Sequence, residues 1–231
     1  MPSSQRFSYH RRMVHPPPLA SGRDADVFAI DAHRVLRRYR NGGDVAAEAT
    51  VMAYVAGFGF PVPTVYEAEG ADLVMERLDG PTMLSALTDG DLGLTEAATL
   101  LADLHRRLHE LPPRLSTDPA ARVLHLDLHP DNVMLSPRGP VVIDWRNATE
   151  GPADLDVALS AVILAQIAVD QTHAMATPAN TFLTAFLRCA GGTSLSALDK
   201  AIAIRRNDPN LSSDEVDLLA AAAALITERC E

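Results

Sequence analysis

An α+β protein in two unequal parts is predicted by three observations. From Leu19 to about Met75 the chain carries short β-like runs, DVFAI, HRVLRRY and ADLVME, around a single helical segment. After LDGPTM at residues 78–83 that alternation disappears and the segments become long and helical. With 231 residues and 47% hydrophobic content, the chain has ample apolar material for a packed core. The predicted division is a lead-in over 1–18, a β-rich unit over 19–77 and a mostly helical unit over 78–231.

The elements follow in order. The lead-in has basic residues without a continuous apolar stretch, so it does not read as a secretory signal. In DVAAEATVMAYVAG, Asp44 is the expected N-cap, Val45, Ala49, Met52 and Ala56 share a face, and Gly57 ends the helix. Pro61 and Pro63 then force an extended link. Thr95 is the expected cap of a second helix, whose Ala97, Leu101, Leu104, Leu108 and Leu111 form one buried face before Pro112 and Pro113 stop it. Two β-like pieces, VLHLDL and PVVIDW, bracket HPDNVMLSPRG, in which SPRG has hairpin-turn chemistry. Everything after Asp154 reads as helix, and Ser212 with Glu215 forms a capping box for the last one.

Charge and cysteine content narrow the partners. A formal net charge of -10 argues against nucleic acid, which requires clustered Lys and Arg, and suits a cationic small molecule better. Cys189 and Cys230 are too few for a disulfide framework, so the reducing cytoplasm is the expected compartment. The apolar stretches 157–169 and 218–226 fall short of the ~20 residues a bilayer requires, and no membrane partner is expected.

The strongest chemical signal is His125-Leu126-Asp127-Leu128-His129-Pro130-Asp131-Asn132, with Asp144 following twelve residues after Asn132 in VVIDW. Phosphoryl transfer asks a protein for a carboxylate near the accepting hydroxyl and for oxygen ligands that fix magnesium on the phosphates. A loop leaving a strand at Asp127 can aim a carboxylate at the acceptor. Asn132 and Asp144 supply one amide oxygen and one carboxylate, the hard donors Mg2+ prefers. A chance match at several positions in order is far rarer than a lone motif.

HLDLHPDN followed by VIDW resembles the motif of the aminoglycoside phosphotransferase and choline kinase family, relatives of protein kinases. The resemblance implies a two-lobed protein-kinase-like fold, with a nucleotide-binding lobe over 19–77 and a catalytic and acceptor-binding lobe over 78–231. It also implies transfer of the γ-phosphate of ATP or GTP to a hydroxyl of a small molecule, an amine-bearing alcohol such as an aminoglycoside among the options. Asp127 is implied as catalytic base, Asn132 and Asp144 as Mg2+ ligands, and His125 as a brace of the loop. The commonest family form has Gly at the position of Leu126 and often at Asp131. GPADLDVA at 151–158 resembles the family's following motif, in which Asp156 braces the catalytic loop.

In the first unit the resemblance places a phosphate-covering loop at LASGRDADVFAI, where Gly22 is the one glycine. HRVLRRY resembles the strand that carries the phosphate-gripping lysine, with Arg37 in its place, and Glu48 on the following helix is its natural partner. Arg38 alternates to the other strand face. LVMERLDG resembles the lobe-connecting hinge: Glu76 and Leu78 would meet the adenine edge, with Met75 behind the ring and Val27, Val35, Met134 and Ile143 as apolar walls.

Other constellations read differently. His125, Asp127 and His129 alternate as ligands of a metal hydrolase would, yet that leaves Asn132 and Asp144 unused, and Pro130 breaks the strand. Arg37 and the glycine-poor loop fit a nucleotide-binding pseudokinase or regulatory module. His105 and His109 lie four apart on a helix, but no third ligand is recognisable nearby, so they read as structural. Trp145 reads as packing behind the metal-binding turn, and Asp131, Glu150 and Asp154 as contributors to an acidic acceptor pocket. The oligomeric state has no sequence signal.

Overall fold

The computed structural model describes residues 17–191 and 195–230, so most of the 1–18 lead-in lies outside the described residues. A five-stranded antiparallel sheet comes first. Its strands are β1 (Ala20–Ser21), β2 (Ala25–Ala29), β3 (Arg34–Tyr39), β4 (Val65–Glu69) and β5 (Asp72–Glu76), in the order β1-β2-β3-β5-β4. Helix α1 (Ala46–Gly57) links β3 to β4. Strands β1 and β4 were not expected from the pattern: β1 is two residues of edge, and most of β4 is exposed, so neither carries an apolar signature.

Register decides which side chains share a face. Val27 is paired with Arg37, Arg37 with Leu73 and Val35 with Met75, so these five line one side of the sheet. Val35, Arg37 and Tyr39 are buried at every second position along β3. Helix α1 packs through Val45, Glu48, Met52 and Val55, while Ala56 is exposed, so its face is rotated from the expected one. Its N-cap is Val45 rather than Asp44; the Asp44 carboxylate still accepts from Ala46 N at 2.8 Å.

From residue 83 the chain is mainly helical: α2 (Met83–Asp89), α3 (Leu94–His109), α4 (Ala153–Val169), α5 (Ala176–Ala190), α6 (Leu195–Arg206), α7 (Ser213–Asp217) and α8 (Leu219–Cys230). Helix α3 is capped at Gly93, not Thr95, and buries Ala97, Leu101, Leu104 and Leu108 as the spacing predicts. Helix α4 is buried on all sides from Asp156 to Gln166, because α5, α6 and α8 pack around it. The capping box at Ser212 and Glu215 is present and starts α7, with α8 following as a separate helix.

Two small ribbons sit between α3 and α4. Strands β7 (Val133–Ser136) and β8 (Gly139–Val142) form the hairpin turned by SPRG. Strand β6 (Arg122–Leu124) pairs instead with β9 (Thr149–Gly151), so the piece before the motif and the piece before Asp144 are not partners. Gly80 lies tight against this hairpin: its φ is +128°, and a Cβ there would fall 2.0 Å from Leu135 O. No helix among the described residues is long and apolar enough to cross a membrane.

Candidate functional site

The stretch from His125 to Asn132 leaves β6, reverses, and re-enters β7, so its side chains converge instead of alternating. Leu126 takes a left-handed conformation with φ 62°, unfavourable for a branched side chain and open to the glycine commonly found there. Asp156 at the start of α4 holds that turn. Its carboxylate accepts from Leu126 N at 2.7 Å and His125 N at 3.1 Å, and His109 Nε2 lies 2.9 Å away. Burial alone would raise the Asp156 pKa, but the His105 and His109 side chains beside it outweigh burial and hold it well below the ordinary range.

His125 is fully buried, with Nε2 at 3.0 Å from Ile143 O and Nδ1 accepting from Asp127 N at 3.2 Å. Burial lowers its pKa, which favours the neutral ring this pairing needs. Both nitrogens are engaged in fixing the loop. His125, Asp127 and His129 therefore do not form the alternating ligand set of a hydrolase, because the Leu126 turn breaks the strand alternation.

Asp127 and Asn132 are joined directly. Asn132 Nδ2 donates to Asp127 O at 2.8 Å and to Asp127 Oδ2 at 3.2 Å, and it lies 3.2 Å from His129 Nε2. Asp127 is pushed up to about 7, first by desolvation and then by the nearby Asp144 charge, with Arg205 and Asn132 opposing. Burial drives His129 the other way, to about 4.

Asp144 sits on a second left-handed residue, φ 65°, where β8 ends and the 145–147 turn begins. Arg37 reaches it from β3, its Nη2 bonded to Asp144 Oδ1, while Arg37 Nη1 meets Glu48 Oε1 at 2.7 Å. Burial works against the Arg37 charge, yet Asp144 and Glu48 more than offset it, and its pKa is raised. Glu48 is almost fully enclosed and also accepts from Tyr39 Oη at 2.6 Å and Trp145 N at 3.1 Å. Trp145 packs edge-on to Phe60 and His125 and donates from Nε1 to Val142 O, so it is a packing residue. Ile143 N donates to Asn132 O at 3.0 Å, which sets the Arg37–Glu48–Asp144 group beside the Asp127–Asn132 pair, so the five form one cluster spanning the sheet and the motif loops.

The remaining sequence-selected positions surround this cluster to different degrees. Val27, Val35 and Met75 share the sheet face of Arg37, and Met134 and Ile143 are half-buried on and beside the β7–β8 hairpin. Leu78 lies in the crossing segment. Glu76 directs its carboxylate to Thr64 N and Arg138, while its backbone N donates to Thr64 O at 2.8 Å. Gly22 occupies the β1–β2 turn, where a Cβ would meet only Ala25 O at 3.7 Å, so the turn itself does not demand glycine. Arg38 pairs with Asp72 on the opposite face. Glu150 departs from expectation: its carboxylate accepts from the backbone N of Arg114, Leu115 and Ser116, so it organises that loop and is not an acceptor-pocket acid.

Several contributors carried no local sequence signal. Arg205 on α6, held by Gln166 at 2.8 Å and Asp208 at 3.0 Å, acts electrostatically on Asp127 although it lies far along the chain. The β1–β2 turn is tied to the helical part by Arg23–Glu215 at 3.0 Å, Arg146–Asp24 at 2.8 Å and Asn210–Asp24 at 3.2 Å. Tyr39, two residues beyond Arg37 on the same face, was within reach of the period-two pattern.

The profile of the phosphotransferase enzyme family (APH) matches residues 16–122 and 110–191, which together span both the sheet and the motif loops. The chain belongs to this family. No curated protein matches it. Among solved structures it is similar to a choline/ethanolamine kinase family protein from Mesorhizobium loti, at 14% identity and TM-score 0.59, covering 92% of this chain and 88% of that one. It is also similar to the ADP-bound aminoglycoside phosphotransferase APH(2'')-Ib, at 13% identity and TM-score 0.56, covering 91% of this chain and 93% of that one. The streptomycin–ATP ternary complex of APH(2'')-IIa matches at 13% identity and TM-score 0.55, over 90% of this chain and 92% of that one. At such identities the likeness is one of fold, and it agrees with the family's kinase-like architecture of a β-sheet lobe and a helical part.

Proposed function

We propose that this chain is a small-molecule kinase that moves the γ-phosphate of ATP to an alcohol. The observation that carries the reading is the cluster: one cation from the sheet, Arg37, is bonded to Asp144, and Asp127 is bonded to Asn132 on the adjoining loop. On this reading the base, the two candidate metal ligands and the phosphate-binding cation serve one nucleotide terminus.

The donor set fits Mg2+. Asn132 directs its amide nitrogen at Asp127, which leaves Oδ1 outside that set, and Asp144 offers a carboxylate that is still about a third exposed. Mg2+ bound there would neutralise the phosphate oxygens and favour transfer. Asp127, with its pKa near 7, takes the proton from the acceptor hydroxyl. Arg37 grips the α- and β-phosphates in a forked contact, oriented by Glu48. Val27, Val35, Met75, Met134 and Ile143 form the walls around adenine, with Glu76 and Leu78 at its edge and the Gly22 turn over the phosphates. The division into a nucleotide lobe over 19–77 and an acceptor lobe over 78–231 belongs to the same reading.

An amine-bearing alcohol remains the acceptor class favoured by the charge of -10, with Asp131 and Asp154 but not Glu150 as candidates to receive it. The test is ATP turnover with Mg2+ across a panel of amine-bearing alcohols. Phosphorylated product establishes the kinase, whereas nucleotide binding without transfer to any alcohol favours a regulatory module. In the active protein, Asp144→Ala abolishes metal-dependent nucleotide binding, while Asp127→Ala keeps binding and lowers transfer by orders of magnitude. Equal loss of binding in both variants contradicts the separated roles.

A further inference from the structure

Behind the catalytic loop, on the side of Asp156 that faces α3, three donor atoms meet. They are His105 Nδ1, His109 Nε2 and Asp156 Oδ2, all within 4.8 Å of one another. His105 Nδ1 lies 3.6 Å and His109 Nε2 2.9 Å from Asp156 Oδ2. Zinc–ligand bonds of about 2.0–2.2 Å in a tetrahedral arrangement place neighbouring donors roughly 3.3–3.6 Å apart, against separations of at most 4.8 Å here, so side-chain adjustment can close these atoms around an ion.

The hydrogen-bonding order makes this more than a cluster. Ser160 Oγ has a single proton and donates it to Leu128 O at 2.6 Å. Its contact with His105 Nε2 at 3.0 Å must therefore be one it accepts, which puts the His105 proton on Nε2. In a neutral ring Nδ1 then carries a lone pair. That atom is buried in a residue 1% exposed, has no hydrogen-bond partner among the described residues, and lies 3.6 Å from a carboxylate oxygen. Two electron-rich atoms facing each other in a buried site repel unless a cation lies between them.

We propose that His105, His109 and Asp156 bind one divalent transition ion, zinc being the best match to two imidazoles and a carboxylate. Histidines one helical turn apart can ligate a single ion, and this donor set disfavours Mg2+. An approach exists: a cavity of about 560 Å³ lined by Thr99, His105, His109, Val157 and Cys189 opens onto the histidines and leaves room for a water as fourth ligand. On binding, the proton on His109 Nε2 moves through solvent to its own Nδ1, with no net change in protonation of a neutral ring. The ion would cross-link α3 to α4 through the carboxylate that holds Leu126 N and His125 N, next to Asp127. It is distinct from the Asn132 and Asp144 pair and does not depend on the kinase reading.

The test uses the full chain with saturating Mg2+ to occupy the oxygen-rich site, and Co2+ as the optical probe. One equivalent of Co2+ with the intense visible bands of low-coordinate N/O ligation, displaced by Zn2+, is the expected result. His105→Gln keeps a donor for Ser160 but lacks the ligand, and its Co2+ affinity falls by more than about 100-fold, since even outer partners of a metal ligand contribute about 10- to 100-fold. No Co2+ uptake by the wild type, or equal uptake by His105→Gln, overturns the proposal and leaves a proton as the bridging cation. If the variant does not fold, imidazole 15N shifts of the wild type during Zn2+ titration decide. Movement of His105 Nδ1 and His109 Nε2 supports the site, and movement confined to other histidines refutes it.

Discussion

The ion pair beneath Asp144 yields a prediction that does not depend on the substrate. The Glu48 side chain is 3% exposed and receives three donors, Arg37 Nη1 at 2.7 Å, Tyr39 Oη at 2.6 Å and Trp145 N at 3.1 Å. Arg37→Met removes the only charged one and leaves a buried carboxylate with two neutral donors, a loss of about 3–5 kcal/mol. Glu48→Gln alone keeps Arg37 on Asp144, which is partly solvated, and forfeits a charged hydrogen bond for about 1.5–3 kcal/mol. In the double variant the neutral amide needs no countercharge: Gln can still accept from Trp145 N, and the Tyr39 hydroxyl can turn to accept from the amide. The double variant should therefore be more stable than the sum of the singles by at least ~2 kcal/mol. Urea unfolding of the four proteins measures it, with the sole tryptophan, Trp145, reporting from beside the pair and far-ultraviolet dichroism checking that the transition is shared. Additivity within ~0.5 kcal/mol refutes the reasoning, because Arg37 would then be no more than a neighbour of Glu48.

The other expectations are more direct. Asp127 should titrate near 7 in the metal-free protein by carboxyl NMR, and Asp144→Asn should move it down, because the Asp144 charge is the second cause of the elevation after burial. Since its folded pKa lies above the unfolded value of about 3.9, Asp127 favours the fold at low pH, and that contribution is lost as pH rises through about 7. Transfer by an ionised base runs the other way, rising through the same range. Gly80→Ala should destabilise by about 3 kcal/mol or more in thermal or urea melts, from left-hand strain and a Cβ placed against Leu135 O. Arg23→Ala should change stability by less than about 1 kcal/mol, as its pair with Glu215 is exposed, but should weaken ATP binding at low salt; an unchanged Kd would separate the β1–β2 turn from the nucleotide.

How far the sequence carried this reading depends on the range of each interaction. Asp127, Asn132 and Asp144 fall within a short stretch whose turns are locally encoded, so their grouping was legible. Arg37 and Glu48 were also legible, because a strand and the next helix present them to each other. Errors clustered where a local signal had more than one use. Thr95 is a good N-cap residue by type, yet the chain enters α3 two residues earlier, at Gly93. Glu150 looked like a pocket acid, but three backbone N–H groups of the 114–116 loop, 34 to 36 residues away, claim its carboxylate. His105 and His109 lacked a third partner because Asp156 comes from a different helix, and only the packing of α3 beside α4 supplies it.

The loop that bears Asp127 is consequently held from two sides by charged knots of unlike design. In front, Arg37 lies between Glu48 and Asp144, and Asp144 remains partly open to solvent. On the proposed function, Mg2+–nucleotide would take Asp144 and leave Arg37 for phosphate with little change in buried charge. Behind, Asp156 is wholly enclosed and engages backbone amides, so it cannot release those amides without stranding buried donors. The front knot is suited to exchanging ligands and the back knot to resisting displacement. A kinase of the proposed kind, admitting and expelling a highly charged nucleotide, would need both, because the geometry at Asp127 would have to survive the exchange at Asp144.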